Sequence, residues 1–171
     1  MKIGVIFAMD EMGGIGYNGG LPWTPHKKDF AQFKDQTMGK PMIMGRRTFD
    51  SLPGILPGRE HMVITANPDS LPDHEMVYCA RDLADALDQY TCGSGDDVEM
   101  VWIIGGKRVI EEAVKVADVV RITTMYTEYS CDVWIDPKVL VWLRENAVRV
   151  QEVERGENHD YWITEYHMKH A

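Results

Sequence analysis

The sequence predicts an α/β fold: a largely parallel sheet with an antiparallel pair of strands at its C-terminal end. Three observations lead there. Short apolar runs alternate with helical patterns along most of the chain, which is how βαβ connections read in sequence. Two of those runs pass through glycine into a helix that opens on basic residues, in GRRTFDSLP (45–53) and MVWIIGGKRVIEE (100–112). Residues 147–168 alternate in polarity around a turn at Gly156 and Glu157, as a hairpin does.

The elements follow in order. Ile3 to Met9 is a short apolar run and reads as a buried strand. Residues 10–23, DEMGGIGYNGGLPW, hold five glycines, too many for a helix or strand interior. They predict a long mobile loop, a kind that usually carries function. Thr24 and Pro25 suit the cap and first turn of a helix with Phe30, Phe33 and Lys34 at helical spacing, ending near Gly39. PMIM (41–44) predicts a second strand, and the arginine-bearing segment after it a turn and a short helix stopped by Pro53. LPGR (56–59) is a turn, HMVIT (61–65) a third strand, and 76–79 a fourth. Asp82 caps a helix that places Leu83, Ala86, Leu87 and Tyr90 on one face. Residues 91–97 read as a polar loop, and 100–104 as a strongly apolar strand. A helix runs from about Lys107 to Lys115, and 118–124 is the next strand. Residues 139–146, VLVWLREN, fit a helix or a strand equally.

Composition bounds the function. A chain of 171 residues suits one domain, spanning 1–171, with enough length for a real core. Its net charge of −9 argues against nucleic acid as the main partner, because that needs clustered Lys and Arg. Three cysteines without CxxC spacing predict no disulfide framework and a reducing, cytoplasmic setting. The six histidines show no metal-ligand spacing, so no metal is expected, and His167 and His170 read as a solvated tail. No apolar run is long enough for a signal peptide or a membrane span. Many of the eleven methionines fall on predicted core strands, no exposed apolar stripe is evident, and a monomer is expected.

Three constellations carry chemistry. In 100–112, an apolar strand ends in Gly105 and Gly106 and opens a helix at Lys107 and Arg108. Free N–H groups at a helix start attract phosphate, and Arg108 adds a fork of donors. Alone, this is equally well a tight packing turn. In 45–53, Gly45, Arg46 and Arg47 repeat the arrangement. Two such places in an acidic chain suggest a ligand with phosphates at separate positions, such as a dinucleotide with an extra ribose phosphate. The plain reading is a pair of solvated arginines. The third is Asp29, beside Phe30 and one turn before Phe33. On the apolar side of a helix its carboxyl is desolvated and its pKa rises, which suits a proton donor or a partner for a cationic heterocycle. The simpler role is to complement the helix dipole.

Taken together, the ordered set resembles dihydrofolate reductase over nearly the whole chain. The resemblance is carried by AMD (8–10), Ile15 and Gly16, LPW (21–23), Asp29 with Phe33 and Lys34, KPMIMGRRTFDSL (40–52), LPGR, WIIGGKRV (102–109), ITT (122–124) and Asp132. It implies a mostly parallel sheet of eight strands flanked by about four helices, and NADPH-dependent reduction of 7,8-dihydrofolate to tetrahydrofolate. It implies that Asp29 binds the pterin and promotes protonation of its N5, with Thr123 bonded to the carboxylate, Trp23 holding a water nearby and Leu21 closing over the site. Ile6, Ala8, Phe30, Phe33, Lys34, Leu52 and Leu56 would meet substrate, and Arg59 the carboxylate of its glutamate tail. Ala8, Ile15, Gly16 and Gly20 would meet the nicotinamide. Gly45, Arg46, Arg47, Thr48, Thr65 and Ala66 would meet the rest of the cofactor, with Ile104, Gly105, Gly106, Lys107, Arg108 and Val109. Residues 10–23 would be the lid, and the Gly105–Gly106 peptide would be cis. Antifolates such as methotrexate and trimethoprim would be ligands.

The chain departs from the family pattern in places. One extra residue stands between Trp23 and Asp29, and HKK (26–28) is unusually basic. Ile110 replaces a frequent tyrosine, Ala66 and Asn67 replace polar or basic residues near the 2′-phosphate, and Gly54 and Ile55 replace a polar pair. Residues 136–150 match poorly. The alternatives are a related reductase of another pterin or of a riboflavin-pathway pyrimidine, and a non-catalytic protein that kept the fold. Asp29, Phe33 and Arg59 favour folate.

Overall fold

A computed structural model of the chain describes residues 1–24, 26–92, 98–158 and 160–169. Its strands are β1 (Lys2–Asp10), β2 (Gly14–Gly16), β3 (Met42–Gly45), β4 (His61–Ile64), β5 (Val77–Ala80), β6 (Met100–Gly105), β7 (Val119–Met125), β8 (Val133–Trp134), β9 (Ala147–Arg155) and β10 (Tyr161–Met168). The helices are α1 (Lys27–Thr37), α2 (Arg46–Ser51), α3 (Leu83–Cys92), α4 (Lys107–Ala113) and α5 (Pro137–Asn146). The described residues thus hold five α-helices where about four were expected.

Eight strands form one sheet in the order β5-β4-β3-β6-β1-β7-β10-β9, and β2 pairs with β8 apart from it. From β5 to β7 every pairing is parallel, while β7–β10 and β10–β9 are antiparallel. The predicted architecture and C-terminal hairpin are therefore present. The centre of the sheet is closed on both faces, which is why its strands read as continuous apolar runs rather than alternating ones. Val5, Ile43, Val101, Ile103 and Val120 are fully buried. Met9, Met42, Met44, Met62, Met125 and Met168 are buried as well, filling the core as their strand positions suggested.

Several local expectations need correction. Helix α1 starts at Lys27 with His26 at the N-cap, not at Thr24, and Pro25 lies outside the described residues. His26 is drawn toward the hairpin: its Nε2 lies 2.9 Å from Asp160 Oδ2 and its ring meets Tyr161 edge-on. Residues 139–146 are helical, because Asp136 caps Lys138 N–H at 2.9 Å and Pro137 occupies the first turn. The polar loop of 91–97 is shorter, since Thr91 and Cys92 complete α3, and 93–97 lie outside the described residues. His167 is not in a tail but on β10, opposite Val119 and Arg149, while His170 lies outside the described residues. The Asp82 cap stands as expected, its Oδ1 accepting from Asp85 N–H at 2.8 Å. Among the described residues no helix is long and apolar enough to cross a membrane.

Candidate active site

Strand β1 lies between β6 and β7, and the chain returns to β6 only after building β3, β4 and β5. Such a switch in strand order opens a crevice at the carboxyl ends of the strands. A cleft of about 1190 Å³ occupies that place. Ile6 and Ala8 reach it from β1, Gly45 from β3 and Thr123 from β7. Ile104, Gly105 and Gly106 reach it from the end of β6 and the turn beyond. A bulge aids this: Ile43 pairs with Ile103 but Met44 with Gly105, so Ile104 is the extra residue on β6.

One side of the cleft belongs to α1, with Asp29, Phe30 and Phe33. Helices α2 and α4 supply a further part of the lining: Arg46, Arg47, Thr48 and, just beyond α2, Leu52, with Lys107, Arg108 and Val109. Ile15, Gly16, Gly20 and Leu21 close it from the lid. The structure does not bring every expected residue to the wall. Trp23 sits behind it, 6% exposed, edge-on to Tyr129, with a buried indole N–H that has no protein acceptor. Lys34 is exposed, and Lys34, Leu56, Arg59, Thr65 and the exposed Ala66 do not line the cleft. Arg59 is buried, its Nη1 donating to Thr37 Oγ1 at 3.2 Å and its Nε to Pro57 O at 3.2 Å. Burial pushes the Arg59 guanidinium below its usual range.

The structure adds residues that sequence reasoning missed. Gln32 and Arg121 line the cleft beside Asp29 and Thr123. The signals were present: Gln32 follows Asp29 by one helical turn, and Arg121 precedes Thr123 by two residues of a strand. Tyr17, Ile64, Ile163 and Val133 also reach the wall. Asp132, quoted above only as part of the resemblance, ties down the lid. Its Oδ2 accepts from Asn18 N–H at 2.8 Å, and its own N–H donates to Gly16 O at 2.9 Å. At the base of the lid the buried Asp10 carboxylate accepts from the N–H groups of Met12, Gly14 and Tyr129 at 2.7–3.0 Å.

Burial pushes the Asp29 carboxyl above its usual range. The Thr123 hydroxyl and His26 oppose that shift, and Glu154 adds to it. An acid in this setting can deliver a proton at a pH where an exposed carboxylate would have none.

The part of the cleft lined by α2, α4 and the paired glycines can take a dinucleotide. Gly105 and Gly106, joined by a cis peptide, press on Thr48. A Cβ on Gly105 would stand 2.9 Å from Thr48 Oγ1, and one on Gly106 3.1 Å. Backbone exposed in this way lets a ligand approach closely. Arg46 is engaged with Asp50 at 2.8 Å and with Ser70, and Lys107 lies 3.9 Å from Glu111. Arg47 and Arg108 are exposed at the rim of the cleft. Two cationic arms flanking bare backbone match two separated phosphates.

Comparison with known proteins identifies the family. The dihydrofolate reductase family profile matches residues 2–168. A dihydrofolate reductase of Mycobacterium leprae is 35% identical over 128 residues, 73% of this chain and 73% of that one. One of Bacillus subtilis is 35% identical over 131 residues, 76% of this chain and 73% of its own. The bifunctional dihydrofolate reductase-thymidylate synthase of Paramecium tetraurelia is 35% identical over 161 residues, 92% of this chain but 33% of that protein, so the chain spans about a third of it. The family match runs from the first strand of the sheet to the end of the last, and the chain therefore belongs to the dihydrofolate reductase family.

Proposed function

We propose that this enzyme reduces 7,8-dihydrofolate to 5,6,7,8-tetrahydrofolate with NADPH, and that Asp29 holds the pterin and assists protonation of N5. Family membership makes the chain an oxidoreductase acting on dihydrofolate. The observation that supports the residue-level reading is that one cleft is lined both by an acid whose carboxyl burial raises and by the paired-glycine turn.

When bound, the nicotinamide supplies the hydride, and the protein's residues arrange the rest. Asp29 faces the pterin position and delivers a proton to it. Thr123, on the strand beneath, orients the Asp29 carboxyl, and Trp23 presents its unpaired N–H behind it. Phe30, Phe33 and Leu52 make an apolar wall that strips water from the substrate ring, and Leu21 covers it from the lid. Ala8, Ile15, Gly16 and Gly20 receive the nicotinamide end. Gly45, Thr48, Ile104, Gly105, Gly106 and Val109 let the cofactor's backbone lie close, and Arg46, Arg47, Lys107 and Arg108 take its phosphates. NADPH rather than NADH is favoured by Arg46, Arg47 and Thr65 near the expected 2′-phosphate, with Ala66 contributing no donor. Arg59 takes the tail carboxylate, with Lys34 and Leu56 along the tail. We further propose a single-domain, metal-independent, cytoplasmic monomer that binds methotrexate or trimethoprim in the pterin half.

The test is a spectrophotometric assay. Loss of NADPH absorbance that depends on dihydrofolate and stops with methotrexate is expected. Bound NADPH without dihydrofolate turnover would redirect the assignment to another pterin or to a pyrimidine.

A further inference from the structure

Helix α1 carries the acid, yet it rests on the sheet through polar ties more than apolar packing. Thr37 is its one buried residue, and Phe30 is 43% exposed. The sheet face below it is polar too. Arg121 pairs with Glu165, Thr123 with Ile163, and Ile163 with Glu154, so these side chains share a face.

Arg121 is 8% exposed and fully engaged: its Nη1 donates to Glu165 Oε2 at 2.7 Å and its Nη2 to Gln32 Oε1 at 2.6 Å. The Gln32 amide nitrogen donates to one oxygen of Glu154, and the Tyr161 hydroxyl donates to the other. Gln32 is thus wedged between a cation on β7 and a carboxylate on β9. Rotating its amide would set oxygen against carboxylate and N–H against guanidinium, so its orientation is fixed by charge. Asp29 lies one helical turn away on the same face.

The groups facing Asp29 come from four elements. His26 and Gln32 belong to α1 and its cap. Thr123 and Arg121 project from β7, Tyr161 and Glu165 from β10 with Asp160 just before it, and Glu154 from β9. The Arg121 charge is turned to Glu165, while among the described residues Glu154 is hydrogen-bonded by two uncharged donors, Gln32 and Tyr161. Lys28 of α1 also acts on Glu154, but its amine is bonded to Glu157, so the Glu154 charge is offset only in part.

We propose that Glu154 is a positioning residue for the acid: through Gln32 and Tyr161 it clamps α1 to the hairpin and sets a second carboxylate on the sheet face beneath Asp29. This deepens the functional reading above and rests on Asp29 being the proton donor. Burial is the larger cause raising the Asp29 carboxyl above its usual range, and Glu154 adds to it against Thr123 and His26.

Glu154→Gln and Glu154→Met remove the charge and keep the length of the side chain, and Glu154→Asp keeps the charge. The readout is the pH profile of single-turnover hydride transfer in the full chain, with NADPH affinity by fluorescence and folding by thermal melting. In the charge-removed variants the rate at about pH 8 should fall about threefold or more and at about pH 5.5 remain near wild type. NADPH affinity should be unchanged, and Glu154→Asp should keep the wild-type profile midpoint. A folded Gln or Met variant whose profile superimposes on wild type overturns the proposal. Loss of fold in both overturns it in favour of a purely structural role. Titration of the Asp29 carboxyl carbon by NMR separates the two readings. If wild type does not turn over dihydrofolate, the functional reading fails. A lowered Asp29 titration in Glu154→Gln then still upholds the coupling, and an unmoved one removes it.

Discussion

The carboxylate of Asp132 accepts a hydrogen bond from the backbone N–H of Asn18 at 2.8 Å, joining the loop before β8 to the tip of the glycine-rich lid. Asn18 has a positive φ of 48°, and β2 and β8 pair beside this contact. Among the described residues the glycine-rich loop is thus held at its tip by the Asp132 carboxylate, at its base by the Asp10 carboxylate, and between them by backbone bonds.

Asp132→Ala should therefore loosen the lid without disturbing the sheet. Both partners are exposed, so the bond stabilises the closed form by roughly 1 kcal/mol, about fivefold in the closed-to-open ratio. Stopped-flow measurement should show NADPH dissociating about fivefold faster and hydride transfer slowing by a similar factor. Unchanged release would mean that the lid is held elsewhere.

Asp29→Asn removes the proposed proton donor and keeps the shape. A positioned acid contributes roughly 10²–10⁴-fold, so turnover should fall in that range while the NADPH dissociation constant stays within about twofold. A parallel loss of cofactor affinity would place Asp29 in a structural role.

The same variant has a stability signature. Folding raises the Asp29 pKa, so the folded protein binds more protons than the unfolded chain between the two values. Stability from this group is then fullest at low pH and declines as pH rises from the unfolded value through the folded one. Asp29→Asn should melt higher than wild type at neutral pH, and the gap should shrink on acidification. Wild-type hydride transfer should slow across the same rise in pH, because the protonated acid disappears.

Gly105→Ala should damage the cofactor side. The new Cβ would stand 2.9 Å from Thr48 Oγ1, and Gly105 has φ of 151°, where side chains are strained. Overpacking of this kind costs about 1–3 kcal/mol. Calorimetry should show weakened NADPH binding together with a lower melting temperature, and Thr48→Ala should restore part of the loss.

Arg59→Leu separates tail recognition from ring chemistry. Its Thr37 partner keeps a bond to Phe33 O at 2.7 Å, so the variant leaves no orphaned hydroxyl. An Arg–carboxylate contact contributes about 1.5–3 kcal/mol, and KM for dihydrofolate should rise about tenfold or more. A pterin without a glutamate tail should be unaffected.

Much of this fold was legible because its central strands are buried on both faces and read as apolar runs. The caps at Asp82 and Asp136 are local chemistry, and Asp136 with Pro137 is the signal that decides α5 between helix and strand. The two-residue β8 was invisible, because so short a strand has no period and exists only through its contact with β2. In the site, Asp29 and the arginine turns stood out by type and spacing. Gln32 and Glu154 did not. Their meaning depends on a charged partner far along the chain, and nothing local marks a glutamine as wedged between a guanidinium and a carboxylate. The start of α1 was misplaced for the same reason, since His26 answers to Asp160 across 134 positions.

The sheet order has a consequence for how the chain is assembled. Strand β1 is the first of the ten, yet both its neighbours, β6 and β7, come about a hundred residues later. As the polypeptide leaves the ribosome, that apolar segment has no sheet partner until β6 and β7 have been synthesised. Pairings of such long range are slow to form, so the strand at the heart of the folded enzyme is exposed to aggregation and chaperones during much of its synthesis.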